Sequence, residues 1–241
     1  MINIPAEGQY NMYNTDFCPH ANFVEFIWPN MYDRLLKDFP KNDLFKDEYP
    51  EERKHGQRPH CRRFFCIGET QGSKYFEQYM KGVKDLPSSW QMFVNNILTN
   101  KDYKKFICKA LKVKDFKIRF DFHRTEGGLD VSPHVDSLGK IGSHLFYFMP
   151  NGWTDKMGGK TVFYRGRKVS RMNPEPGEFE GCVTTSVVGN RSCLFKNAKE
   201  GWHGITKINS NMHRQICNGI IYIILGLLVY TAKKYIDKRF K

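Results

Sequence analysis

At Phe116 the chain changes character, and that change limits what it can fold into. Before it, apolar residues recur at helical spacing. After it they fall into short alternating or wholly apolar runs bounded by Gly, Asn and Pro. These runs predict strands over residues 117–123, 131–136, 144–149, 160–165, 182–187, 192–196, 202–207 and 212–224. Eight short strands separated by turn residues point to a jelly roll.

The N-terminal part reads differently. Residues 1–20 suit an irregular or strand-forming lead-in, and 40–60 a charged exposed loop. Phe23, Phe26, Ile27, Met31, Leu35 and Leu36 keep helical spacing over 21–39, where Pro29 should begin or break a helix. Helices are also predicted over 74–84 and 88–111, the latter burying Trp90, Phe93, Ile97, Phe106 and Ile107. The expected architecture is mainly β with flanking α. Residues 1–115 form an N-terminal helical or irregular support region, 116–224 the core, and 225–241 a basic amphipathic segment. From Gly219 to Ala232 fourteen residues carry no charge. A bilayer span needs about 20, and this run follows Arg214 closely. It reads as a strand leading into an amphipathic helix, so no stable membrane insertion is expected.

Forty per cent hydrophobic and 15% aromatic residues over 241 positions describe a packed globular chain, not a disordered one. The net charge of +13 favours acidic partners such as nucleic acid, ribonucleoprotein or an acidic polypeptide. The charge is scattered, however, and a soluble basic surface is the plainer reading. Lysines at 101, 104, 105, 109, 112, 114 and 117 form the densest run, either a solvated face or a docking patch. Residues 165–181 read as a long basic loop, with Arg165, Arg167, Lys168 and Arg171, of the kind that serves as a lid or binding element. Seven cysteines form no CxxC pair, and an odd count without a secretory leader indicates reduced thiols in the cytoplasm. Cys61 and Cys66, among His60, Arg62 and Arg63, are either half-buried thiols or a metal or redox site.

The chemistry concentrates in His134-Val135-Asp136. Residues two apart on a strand share a face, so His134 and Asp136 can offer a nitrogen and an oxygen to one ion. A lone HxD is common in turns. With a distant His203 it becomes a two-histidine, one-carboxylate face that leaves open coordination positions, as in non-haem Fe(II) oxygenases. Arg214 adds a permanent cationic fork suited to a carboxylate.

Pro133-His134-Val135-Asp136, Leu145-Phe146-Tyr147-Phe148, Gly158-Gly159-Lys160-Thr161-Val162-Phe163, Trp202-His203-Gly204 and Arg214 follow one another in a fixed order. In this order residues 115–224 resemble the 2-oxoglutarate- and Fe(II)-dependent dioxygenases, specifically the prolyl 4-hydroxylase-like branch. The N-terminal half carries no such motif. The resemblance implies a cupin-like double-stranded β-helix with the triad inside one mouth. It implies Fe(II) held by His134, Asp136 and His203, and Arg214 paired with the distal carboxylate of 2-oxoglutarate. With O2 as oxidant, and ascorbate as reductant, the products would be succinate, CO2 and a hydroxylated C–H. The substrate would be a prolyl or other side chain of a protein or peptide, or a free amino acid.

Some positions qualify the resemblance. Arg214 stands where collagen-type members commonly carry Lys. The tyrosine that often supports the co-substrate is Tyr147 or, offset by one, is replaced by Phe148. Ile220 occupies the place of a second arginine found in nucleic-acid demethylases, which counts against that branch, while the charge keeps nucleic acid open. The Asp136 carboxylate favours hydroxylation over halogenation. His123, His144 and His213 lie near the same strands and are alternative ligands, although an inward Arg214 turns His213 outward and His144 suits a surface or hydrogen-bonded role. Trp202 reads as packing. The rival functions are a catalytically silent basic jelly-roll module that binds nucleic acid or ribonucleoprotein, and another cupin chemistry such as a metal-dependent isomerase. Substrate recognition is placed in 40–75 and 165–181.

Overall fold

The computed structural model describes residues 1–13, 16–49, 58–69 and 74–223. The expected C-terminal helix and the end of the apolar run lie outside these residues. In chain order the elements are β1 (His20–Val24), α1 (Pro29–Lys37), β2 (Lys46–Glu48), β3 (Arg62–Ile67), α2 (Lys74–Glu77), β4 (Met80–Lys81), α3 (Ser88–Thr99) and α4 (Lys101–Leu111). The strands β5 (Lys117–Thr125), β6 (Val131–His134), β7 (Lys140–Tyr147), β8 (Thr161–Arg167), β9 (Phe179–Thr184), β10 (Arg191–Lys196), β11 (His203–Ile205) and β12 (Arg214–Tyr222) follow.

Two sheets face each other. The larger runs β1-β10-β7-β12-β5-β3-β2, with β4 joined in parallel to β3, and the smaller runs β6-β11-β8-β9. The predicted double-stranded β-helix is therefore present, with the N-terminal strands β1, β2 and β3 extending its larger sheet. A helical layer covers that sheet's outer face. Trp90, Phe93, Tyr103, Phe106 and Ile107 pack there against Phe120, Phe122, Phe146 and Phe148. The Trp90 indole also donates to the Leu35 carbonyl at 3.0 Å. Alternation along β5 and β12 sends Phe120, Phe122, Cys217 and Ile221 into this layer and turns Arg119, Asp121, His123, Arg214 and Asn218 toward the barrel interior.

Several expectations need correction. The spacing over 21–39 is only partly helical. Phe23 lies on β1, and Phe26 and Ile27 reach the same core from the bend after it, so a strand and a turn mimic one helical stripe. The helix begins at Pro29, where a missing N–H costs nothing. The predicted helix over 88–111 is two helices, because Asn100 is extended and its side chain accepts from the Asp102 and Tyr103 amides, capping α4. Only Lys74–Glu77 is α-helical within 74–84, since Met80 and Lys81 pair with β3 instead and Val83 opens a short 3-10 turn. The supposed loop over 40–60 contains β2. The basic loop over 165–181 is shorter than expected: β8 continues to Arg167, which pairs with Phe179 at the start of β9. No helix among the described residues is long and apolar enough to cross a membrane.

Candidate metal centre

β6 and β11 are antiparallel neighbours in register, with His134 directly opposite His203. This pairing puts the two rings side by side, with centroids 4.3 Å apart. Asp136 corrects the sequence reading in one respect. The short ladder with β11 ends at His134, so β6 stops there and Asp136 sits in the link after it, not on the strand. The link still brings Asp136 to the histidines. One donor atom from each of His134, Asp136 and His203 lies within 4.8 Å of the others, the one such group among the described residues.

Local hydrogen bonds fix the donor state of each ring. His134 Nδ1 lies 3.0 Å from the Ser132 carbonyl, and His203 Nδ1 lies 2.8 Å from the Gly201 carbonyl. A carbonyl only accepts, so in both rings Nδ1 carries the proton and Nε2 keeps its lone pair. Burial and the neighbouring His203 lower the His134 pKa to about 3, and burial lowers that of His203. Burial alone would raise the Asp136 pKa, but the Lys140 ammonium beside it more than offsets this and holds it below the usual carboxylate range. Two neutral imidazoles and one carboxylate are the charge states a divalent ion requires.

Arg214 is 1% exposed. Its Nε donates to the Gly159 carbonyl at 2.7 Å, while Nη1 and Nη2 have no partner among the described residues. Burial lowers its pKa to about 10. A buried cation with two unused donors is costly unless an anion meets it. The Gly-Gly motif shapes this corner. Gly158 and Gly159 both have positive φ, and a Cβ on Gly159 would come within 3.0 Å of the Arg214 Cδ. Tyr147 faces the same interior, its ring 5.9 Å from the guanidinium and its hydroxyl 2.7 Å from Thr161 Oγ1. Phe148 lies in the helical layer, stacked on Tyr32, so Tyr147 is the residue of the pair that faces the barrel interior.

The other histidines separate cleanly. His144 is buried in the helical layer, with Nδ1 3.1 Å from the Tyr103 hydroxyl and Nε2 3.2 Å from Ser192 Oγ. It is hydrogen-bonded, as one reading expected, but not at the surface. His123 lines the interior, its ring parallel to Phe64, and His213 is outside the donor group. Trp202 packs with Val162, Tyr164 and Phe179. The cysteines are free, and Cys61 and Cys66 are in no metal-binding group among the described residues. Part of the basic charge is paired: Lys104 with Asp115, Lys109 with Glu7, Lys117 with Glu69 and Arg165 with Asp16. Sequence reasoning missed Lys140, which a turn closed by Ser137 returns to Asp136. The tight Ser-Leu-Gly-Lys turn was its one signal.

The sequence matches no protein-family model and no curated protein. The fold is similar to that of a prolyl-4-hydroxylase from Pseudomonas putida, with a TM-score of 0.55, 12% identity, and coverage of 85% of this chain and 92% of that one. It is also similar to a prolyl hydroxylase from Trichoplax adhaerens, solved with a peptide fragment of the hypoxia inducible factor oxygen degradation domain. There the TM-score is 0.53, the identity 12%, and the coverage 88% and 85%. A prolyl 4-hydroxylase from Phytophthora capsici gives a TM-score of 0.54 at 13% identity, covering 84% of this chain and 58% of that one. At these identities what is shared is the fold, a jelly roll common to this chain and these prolyl hydroxylases.

Proposed function

We propose that this chain is an Fe(II)- and 2-oxoglutarate-dependent dioxygenase that hydroxylates a prolyl or other amino-acid side chain in a protein or peptide. One observation carries the reading. The same barrel interior holds a neutral His/His plus carboxylate donor set and a buried guanidinium with two unused nitrogens. The donor set fits a divalent ion and the guanidinium fits a carboxylate, so the residues present suit both the metal and the keto-acid. When bound together, iron, 2-oxoglutarate and O2 supply the oxidative decarboxylation to succinate and CO2 that drives oxygen insertion into an unactivated C–H bond.

The chain's own residues divide the remaining work. His134 and His203 offer Nε2, with their tautomers held by the Ser132 and Gly201 carbonyls. Asp136 supplies the anionic donor. Arg214 receives the distal carboxylate through its two unpaired nitrogens, with its own position fixed by Gly159. Leu145, Phe163, Phe195 and Ile216 form an apolar wall around Tyr147 that keeps water from the reacting atoms. The fold neighbour solved with a peptide supports a peptidyl substrate.

The test is succinate formation by protein loaded anaerobically with Fe(II), then given 2-oxoglutarate, ascorbate and O2. We expect slow uncoupled turnover that His134→Ala abolishes and that Arg214→Ala lowers, recovering toward wild type only at high 2-oxoglutarate. If turnover is absent and metal-loaded protein also binds no 2-oxoglutarate, the dioxygenase reading fails. A basic binding module for nucleic acid or ribonucleoprotein would then take its place.

A further inference from the structure

Lys140 has no part in the proposed function, yet its ammonium touches the candidate ligand set. Its Nζ lies 2.7 Å from Asp136 Oδ2, an ion pair without the angular alignment of a hydrogen bond. The same carboxylate oxygen is 3.6 Å from His203 Nε2. Lys140 and Asp136 are 10% and 12% exposed, so solvent screens the pair little. The Lys140 backbone is held in place, with its amide donating to the Ser137 carbonyl and its carbonyl accepting from Asn197 Nδ2 at 2.9 Å. The four-carbon stem beyond that anchor can turn while the turn itself stays fixed.

Two demands therefore meet on one carboxylate. A buried carboxylate needs a cation, and Lys140 provides one. A divalent ion held by His134, Asp136 and His203 needs the same charge and repels an ammonium beside it. We propose that Lys140 competes with the metal for Asp136, so that metal binding turns the ammonium away and the chain binds its metal more weakly than the three donors alone would. This role rests on the metal-binding reading above. It differs from a supporting role, in which Lys140 would steady Asp136 and strengthen metal binding.

The two roles have opposite signs, which makes the test direct. Protein stripped by chelation is titrated with Mn(II) by calorimetry, as wild type, Lys140→Met and Lys140→Gln. Competition predicts that both variants bind Mn(II) about tenfold more tightly than wild type. A second readout uses the unaltered chain: acylation by a lysine-reactive ester, located by peptide mass spectrometry. Lys140 should become more reactive when Mn(II) is added, while exposed Lys101 stays the same. Equal or weaker Mn(II) binding in folded variants, or Lys140 acylation that Mn(II) leaves unchanged or reduces, overturns the proposal. If the variants do not fold, the acylation result decides. If wild type and variants alike bind no Mn(II), the metal reading itself falls, whereas normal wild-type binding confines any failure to Lys140.

Discussion

The two faces of the larger sheet are built from the same strands and are opposite in character. On β5, Phe120 and Phe122 enter a dry aromatic layer, while Arg119, Asp121 and His123 between them line the barrel. On β12, Cys217 and Ile221 join the aromatic layer, whereas Arg214 and Asn218 face inward. In the aromatic layer His144 bonds at both nitrogens and Trp90 through its indole, while half-buried Asn96 and Arg124 each keep one atom without a partner among the described residues. The interior instead keeps buried polar atoms without partners among the described residues, at Ser143, Asn218 and both terminal nitrogens of Arg214. One face stabilises the chain, and the other gives up stability to keep donors available.

The largest expected effect breaks the aromatic side. Trp90→Ala should cost about 3–5 kcal/mol, read as a lower midpoint in denaturant titration at unchanged slope. A loss below about 1 kcal/mol would mean the helical layer is not the stabilising face. Next, Arg214→Met should leave stability unchanged or raise it by about 1–2 kcal/mol, because it removes an unpaired buried charge. The same variant should weaken 2-oxoglutarate binding roughly a hundredfold by calorimetry, as expected when a buried charge pair is lost. Lower stability in Arg214→Met would show that the interior is better satisfied than its unpaired nitrogens indicate.

The pH dependence separates the faces more finely. Burial lowers the His144 pKa to about 3 from an ordinary 6.5. As pH falls below 6.5 the unfolded chain takes up this proton first, so stability is lost progressively from there down toward about 3. His144→Phe should remove up to about 1.4 kcal/mol per pH unit of that slope, measured by unfolding between pH 7 and 5. An unchanged slope would mean that His144 is not held neutral. The smallest effect is at Asn100, where Ala should cost about 1 kcal/mol by thermal unfolding and spare the interior, since only the start of α4 loses its cap.

The sequence was most legible where local pattern and tertiary role agree. β5 through β12 were each found within a few residues, because alternation and turn residues recur there. His134, Asp136, His203 and Arg214 could be named from motif order, although their convergence depends on the β6–β11 register that only the fold supplies. β1 and β3 were missed for physical reasons. Arg-Arg-Phe-Phe-Cys-Ile does not alternate, and the alternation of His-Ala-Asn-Phe-Val is too short to outweigh the helical spacing that follows it. Their strand character shows only in the pairing with β5 and β10. Lys140 was invisible because its partner is reached through a turn and not through a periodic spacing.

The placement of His134 on an edge strand ties the site to the cohesion of the smaller sheet. Among the described residues β6 has β11 as its single neighbour, β11 is three residues long, and their register is interrupted between His203 and Ile205. Few ladder bonds hold this margin, so an ion bridging His134 and His203 would serve as a rivet across the seam. Amide exchange over residues 131–134 should then slow on metal addition more than anywhere in the aromatic layer. In this protein the margin of the sheet and the candidate metal centre share the same few residues, so whatever loosens the one should weaken the other.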